Sequence, residues 1–145
     1  MQIHQDLDIH HYSIKGYGEG EVVVLVPLLA ELNEETDADG NPAKGLQQER
    51  LTRSAIITAQ HLVRDWPPQG IEELTREDVE MIVALKPEVV LIGTGARLIW
   101  PQRALLRPLY DAGIGVEIMD TAAACRTYNV LSYEERPVAA ALMMI

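Results

Sequence analysis

Two apolar runs, each ending in a polar loop, constrain this chain more than any other feature. Val89-Val90-Leu91-Ile92 has the length and β-branched content of a buried strand, and Gly93-Thr94-Gly95-Ala96-Arg97 follows it as a loop. Gly115-Val116-Glu117-Ile118-Met119 repeats the pattern, and Asp120-Thr121-Ala122-Ala123-Ala124-Cys125-Arg126-Thr127-Tyr128-Asn129 opens a helix behind it. A helical segment separates the two. If the strands are parallel neighbours, both loops leave the same edge of the sheet, where open α/β sheets place ligands.

The remaining segments fit that frame. Glu21-Val22-Val23-Val24-Leu25-Val26 is a strand, with Pro27 marking its end. The glycine-punctuated run Gly16-Tyr17-Gly18-Glu19-Gly20 before it suits a hairpin better than a phosphate cradle, because no helix follows. Arg53-Ser54-Ala55-Ile56-Ile57-Thr58 is a third strand, and Trp66 is expected in the core. Thr75 caps a helix whose inner face holds Val79, Ile82, Val83 and Leu85, and Pro87 stops it. Pro101 opens the next helix, which Pro108 kinks or shortens. Residues 137–144 form a last, buried strand. The expected fold class is α/β: a single compact layered domain over 1–145, with a mixed β-sheet, helices packed on it, and strand–helix–strand units in the C-terminal half. Two segments stand outside it by composition, a polar N-terminal arm at 1–12 and an acidic surface loop at 31–50.

Several function classes are excluded or disfavoured. A formal net charge of −10 opposes binding to phosphate backbones and discourages contact with anionic membranes, so no nucleic-acid partner is expected. No apolar run is long enough for a membrane span. A single cysteine, Cys125, and an N-terminus without a basic flank or apolar core suit the cytoplasm. His4, His10 and His11 lack metal-ligand spacing, and the calcium-loop match at Asp37-Ala38-Asp39 fails at Pro42 and Gln48. No metal is therefore expected. Gly93-Thr94-Gly95 resembles the start of a dinucleotide fingerprint, but Leu98 occupies the third glycine position, so no cofactor is expected either. No nucleophile elbow, Walker loop or zinc cluster is present, and an enzyme is not the favoured reading.

The candidate site comprises Gly93, Thr94, Gly95, Arg97, Asp120, Thr121, Cys125, Arg126 and Asn129. Backbone N–H groups of the glycine loop beside Arg97 can form an anion nest. Asp120 and Thr121 cap the helix, and its slim alanine turn leaves room for an approaching group. A helix N-terminus and Arg126 would lower the Cys125 thiol pKa, against the ordinary role of free Cys as a small buried apolar residue. Arg126 and Asn129, at i and i+3, can grip an anion or tie down the 93–97 loop.

Gly93-Thr94-Gly95-x-Arg97 followed by the run from Met119 to Asn129 resembles the domain of unknown function 498 family. The resemblance extends over about 14–142. It implies a compact α/β fold with a layered mixed sheet and no established enzyme activity. It also implies a protein partner, because the family includes a mitochondrial complex I (NADH dehydrogenase) assembly factor beside small bacterial proteins. The leading expectation is an interaction or complex-assembly factor. The alternative is an anionic-ligand module or enzyme using the 93–97 and 120–129 loops.

Overall fold

The computed structural model describes residues 10–28 and 45–145. β1 (Ser13–Gly18), β2 (Glu21–Pro27) and β3 (Leu46–Leu51) form an antiparallel sheet in that order. Along β2, Val22, Val24 and Val26 are buried while Val23 and Leu25 are half-exposed, the period of two expected of a strand with one covered face. The glycine-rich run is the β1–β2 hairpin, and Gly20 takes φ 73° in its turn, where a Cβ would be strained.

β3 corrects the acidic loop expected at 31–50. Residues 31–44 lie outside the described residues, but from Leu46 the chain is a strand, paired along β2 from Leu46↔Pro27 to Leu51↔Val22. Gln47, Gln48 and Arg50 are exposed on this edge strand, and only Leu51 is buried. Ladder hydrogen bonds, with the Arg64–Glu49 pair at 2.8 Å and Arg50–Glu21 at 3.2 Å, hold a segment that composition marks as solvated loop. The arm expected at 1–12 ends differently too. Residues 1–9 lie outside the described residues, while Tyr12 is buried and its N–H donates to the Ala59 carbonyl at 3.0 Å.

The second sheet contains β4 (Ala55–Ile57), β5 (Leu62–Val63), β6 (Val89–Thr94), β7 (Gly115–Met119) and β8 (Val138–Met143), in the order β5-β4-β8-β6-β7. β8, β6 and β7 are parallel, and β4 is antiparallel to β8 and to β5. The last strand thus lies in the middle, buried along its whole length. Its alternate side chains enter two cores. Val138, Ala140 and Leu142 face β1 and β2 together with Leu91, while Ala139, Ala141 and Met143 join Trp66, Val79 and Leu109. A strand covered on both faces reads as a continuous apolar run, as this one does.

Helices cover both faces. α1 (Arg76–Ala84) opens on a capping box: the Thr75 hydroxyl accepts from the Asp78 N–H at 3.2 Å, and the Asp78 carboxylate accepts from the Thr75 N–H at 2.9 Å. Trp66 is fully buried beneath α1 and donates its indole N–H to the Asp78 carbonyl at 3.1 Å. The helix expected from Pro101 is instead a 3₁₀ turn, Arg103–Leu106, followed by α2 (Arg107–Asp111) with Pro108 in its first turn. Proline lacks the N–H that a longer helix would need there. α1 and α2 pack on the Trp66 side. α3 (Thr121–Tyr133) returns the chain from β7 across β6 to β8 on the other side, against the small sheet.

Candidate functional site

β6 and β7 are parallel neighbours, in register from Val89↔Gly115 to Gly93↔Met119, so their two loops do emerge together. There they bond to each other. The Gly95 N–H donates to Thr121 Oγ1 at 2.8 Å, and the Thr121 N–H donates to the Gly95 carbonyl at 2.9 Å. The Thr121 hydroxyl donates in turn to the Met143 carbonyl at 2.6 Å, tying the end of β8 into the same corner. Thr121 is fully buried. Gly93 is needed for contact: a Cβ there would lie 3.0 Å from Thr121 Cα and 3.2 Å from Ala124 Cβ. The small side chains at the start of α3 let the helix lie on the strand, and Ala124 is buried in that contact.

The other expected residues serve different ends. Asp120 accepts from the Ala123 N–H at 2.8 Å and caps α3. Thr94, also buried, donates its hydroxyl to the Arg97 carbonyl at 2.5 Å and accepts from the Ile99 N–H at 3.0 Å, which fixes the course of the loop. The Arg97 side chain is exposed. An anion nest at Gly95 is opposed by its occupied amide.

Arg126 and Asn129 do not reach the 93–97 loop. Asn129 faces the backbone of β1, accepting from the Ile14 N–H at 3.0 Å and donating to the Ile14 carbonyl at 2.6 Å, so its amide continues the strand's hydrogen bonding. Tyr128, buried, donates its hydroxyl to the Tyr12 carbonyl at 3.0 Å. Arg126, exposed, donates to the Tyr17 hydroxyl at 2.6 Å and lies 6.0 Å from that ring's centroid. Successive residues of α3 thus join the small sheet to the large one. Cys125 is 1% exposed between them, and burial pushes its thiol pKa up to about 12 against a smaller lowering by Arg126. That direction opposes a thiolate nucleophile.

Two features were missed from the sequence. Leu98, Ile99 and Trp100 stand exposed in the loop after β6. Their only local signal is an apolar run, Arg97-Leu98-Ile99-Trp100-Pro101, that fits neither strand nor helix. A cleft of about 850 Å³ lies at the opposite end of the parallel strands, bounded by His10, Lys86, Pro87, Ser132, Arg136 and Pro137 among others. It is assembled from separate segments and has no local signal at all. Of the expected site residues only Asn129 borders it. Among the described residues no group of three His, Cys, Asp or Glu side chains is placed to hold a metal, and no helix is long and apolar enough to cross a membrane.

The family described as protein of unknown function (DUF498/DUF598) matches residues 44–143, which hold both clasped loops, α3 and β8. This chain belongs to that family. It is similar to the 13 kDa major membrane protein of Francisella tularensis, 33% identical over 88 residues that make up 61% of this chain and 68% of the relative. It is 37% identical over 83 residues to the NADH dehydrogenase [ubiquinone] 1 alpha subcomplex assembly factor 3 of Bos taurus, covering 56% of this chain and 45% of that protein. The human assembly factor is 35% identical, with 46% of its length covered, so the match spans about half of these factors. Among solved structures, a Bordetella parapertussis protein superposes with a TM-score of 0.71 at 30% identity, over 92% of this chain and 95% of that one. A Bordetella pertussis protein described as a Mth938-like domain gives 0.71 at 27% identity, over 99% and 92%. These likenesses agree with the layered mixed-sheet fold.

Proposed function

We propose that this protein is a complex-assembly factor: it holds partner proteins while a larger assembly forms, and its client is a respiratory NADH dehydrogenase. One observation carries the reading. Polar groups of the 119–129 run are committed within the chain, Thr121 to β6 and β8, Asp120 to its own helix and Asn129 to β1, with Cys125 buried among them. A run that shapes the fold offers a surface to partners better than it offers groups to a substrate. The relatives named as NADH dehydrogenase assembly factors support the choice of client. The reading also sets the protein in the cytoplasm, where its acidic composition favours solubility; cell fractionation tests that part.

The test of the assembly role is deletion of the gene in its own organism, followed by native-gel separation of the respiratory complexes. Mature NADH dehydrogenase is expected to fall and its subassemblies to accumulate, with recovery when the gene is restored. Normal levels of the mature complex would sink the proposal. The anionic-ligand alternative is supported less well, because the Gly95 amide is occupied and the roomy cleft lies at the far end of the sheet. A melting-temperature rise with anionic metabolites that vanishes in Arg97→Ala would restore it.

A further inference from the structure

The loop after β6 differs in chemistry from the rest of the molecule. Residues 93–110 contain no carboxylate, yet Arg97, Arg103 and Arg107 all fall there, in a chain of net charge −10. Arg107 is 3.7 Å from Asp111, while Arg97 and Arg103 form no ion pair among the described residues. Between those two arginines stand Leu98, Ile99 and Trp100, exposed by 50%, 37% and 68%. Exposed apolar side chains are ordinarily scattered singly, and three in series on one loop ask for a cover. The presentation is built in: the buried Thr94 hydroxyl pins Arg97 and Ile99 from beneath, and Leu106 anchors the far side in the core.

We propose that loop 97–107 docks this protein on the surface of an anionic phospholipid bilayer. Tryptophan and aliphatic side chains settle at the boundary between headgroups and acyl chains, and flanking arginines meet the lipid phosphates. Size favours a bilayer over a protein partner. A stable protein interface takes about 20–30 residues a side, several times what this loop presents, whereas a bilayer can be held by a few apolar side chains with cations around them. The acidic remainder does not forbid the contact: Asp111 beside the loop is paired with Arg107, and charges more than about 8 Å from the surface are largely screened at physiological salt. It sets the orientation, since other faces are repelled. This inference is independent of the assembly role, which is scored on respiratory complexes rather than on lipid.

The chain carries its own probe. Of its two tryptophans Trp66 is fully buried and Trp100 is exposed, so a change in emission on mixing reports Trp100. The whole protein is mixed with vesicles of equal parts phosphatidylglycerol and phosphatidylcholine, or of phosphatidylcholine alone, and floated on a density gradient. Flotation and a blue-shifted emission are expected with the anionic vesicles only, both declining as salt rises. Arg97→Gln and Arg103→Gln should each lower partition about five-fold. Trp100→Ala should lower it about ten-fold and remove the emission change. All three positions are exposed, so the variants should melt as the parent does. Absence from anionic vesicles at low salt would overturn the proposal, as would equal binding to neutral vesicles, or binding that the Trp100 and arginine variants leave unchanged. Loss of a protein partner in those variants without any lipid effect would assign the loop to that partner instead.

Discussion

At the scale of single residues, burial separates the polar groups of α3 that hold the molecule together from those that decorate it. Thr121→Val keeps the shape of the side chain but removes the acceptor for the buried Gly95 N–H. A buried donor left without a partner costs about 1–3 kcal/mol, and urea denaturation should show a loss of that size. Arg126→Ala removes a hydrogen bond between two exposed side chains, and the same measurement should show a change within about 0.5 kcal/mol. Similar losses in both variants would contradict this division. Cys125 adds a pH signature. Its thiol pKa is raised from 9.0 to about 12 in the folded chain. The folded state therefore holds the proton more tightly than the unfolded one, so the associated stability is complete below about pH 9 and disappears as pH rises toward about 12. Tyr128, raised in the same direction by its own burial, contributes to the same alkaline decline. Urea midpoints taken across that range should fall, and fall less steeply in Cys125→Ala. Equal slopes would remove Cys125 from the account, as would rapid labelling of the native thiol at neutral pH.

At the scale of elements, β6 and α3 meet at Gly93 with no room for a Cβ. Gly93→Ala would place a methyl 3.0 Å from Thr121 Cα, and backbone cannot turn aside as a side chain can. The expected cost is about 1–3 kcal/mol of unfolding free energy, with Gly16→Ala as the control, because a Cβ there meets nothing within 4 Å. Equal losses would show that α3 has slack on the sheet. The same contact shows what was legible in the sequence. Apolar runs bounded by turns announced β6 and β7, and the capping residues Thr75 and Asp120 announced α1 and α3, because those signals are local. β3 was not legible, since Gln47, Gln48 and Arg50 are exposed and their strand depends on the partner β2. The central place of β8 was hidden for a similar reason: an apolar run shows burial but not order in a sheet. The meeting of the two loops was legible, and the bonds their residues make were not. Two polar loops at one sheet edge followed from strand periodicity, but the destination of Asn129 was 115 positions away at Ile14, and nothing near Asn129 in the chain points there.

At the scale of the whole molecule, two sheets of unequal size depend on one helix. α3 lies on β6 and β8 through Gly93 and Thr121, reaches β1 through Asn129 and Arg126, and holds Tyr12 just before it through Tyr128. Other ties are backbone bonds from Tyr12 to Ala59 and from Gly20 to the Ile145 carbonyl, the Arg64–Glu49 pair between the end of β5 and β3, and the shared core around Val22, Val24, Leu91 and Leu142. The shared core argues for one cooperative transition in the parent, with amides of both sheets exchanging through global unfolding. Asn129→Ala cuts the amide connection to Ile14 of β1 while leaving the contacts of Thr121, Gly93 and Arg126 intact. Amides of β1, β2 and β3 should then exchange through a partial opening at lower free energy than those of β6 and β8, and the difference should be about 1–3 kcal/mol. Native-state hydrogen exchange with mass analysis of each strand measures it directly. A uniform drop in every strand would mean that the apolar core alone couples the sheets, and that the amide of Asn129 contributes to stability without setting the boundary between what opens first and what opens last.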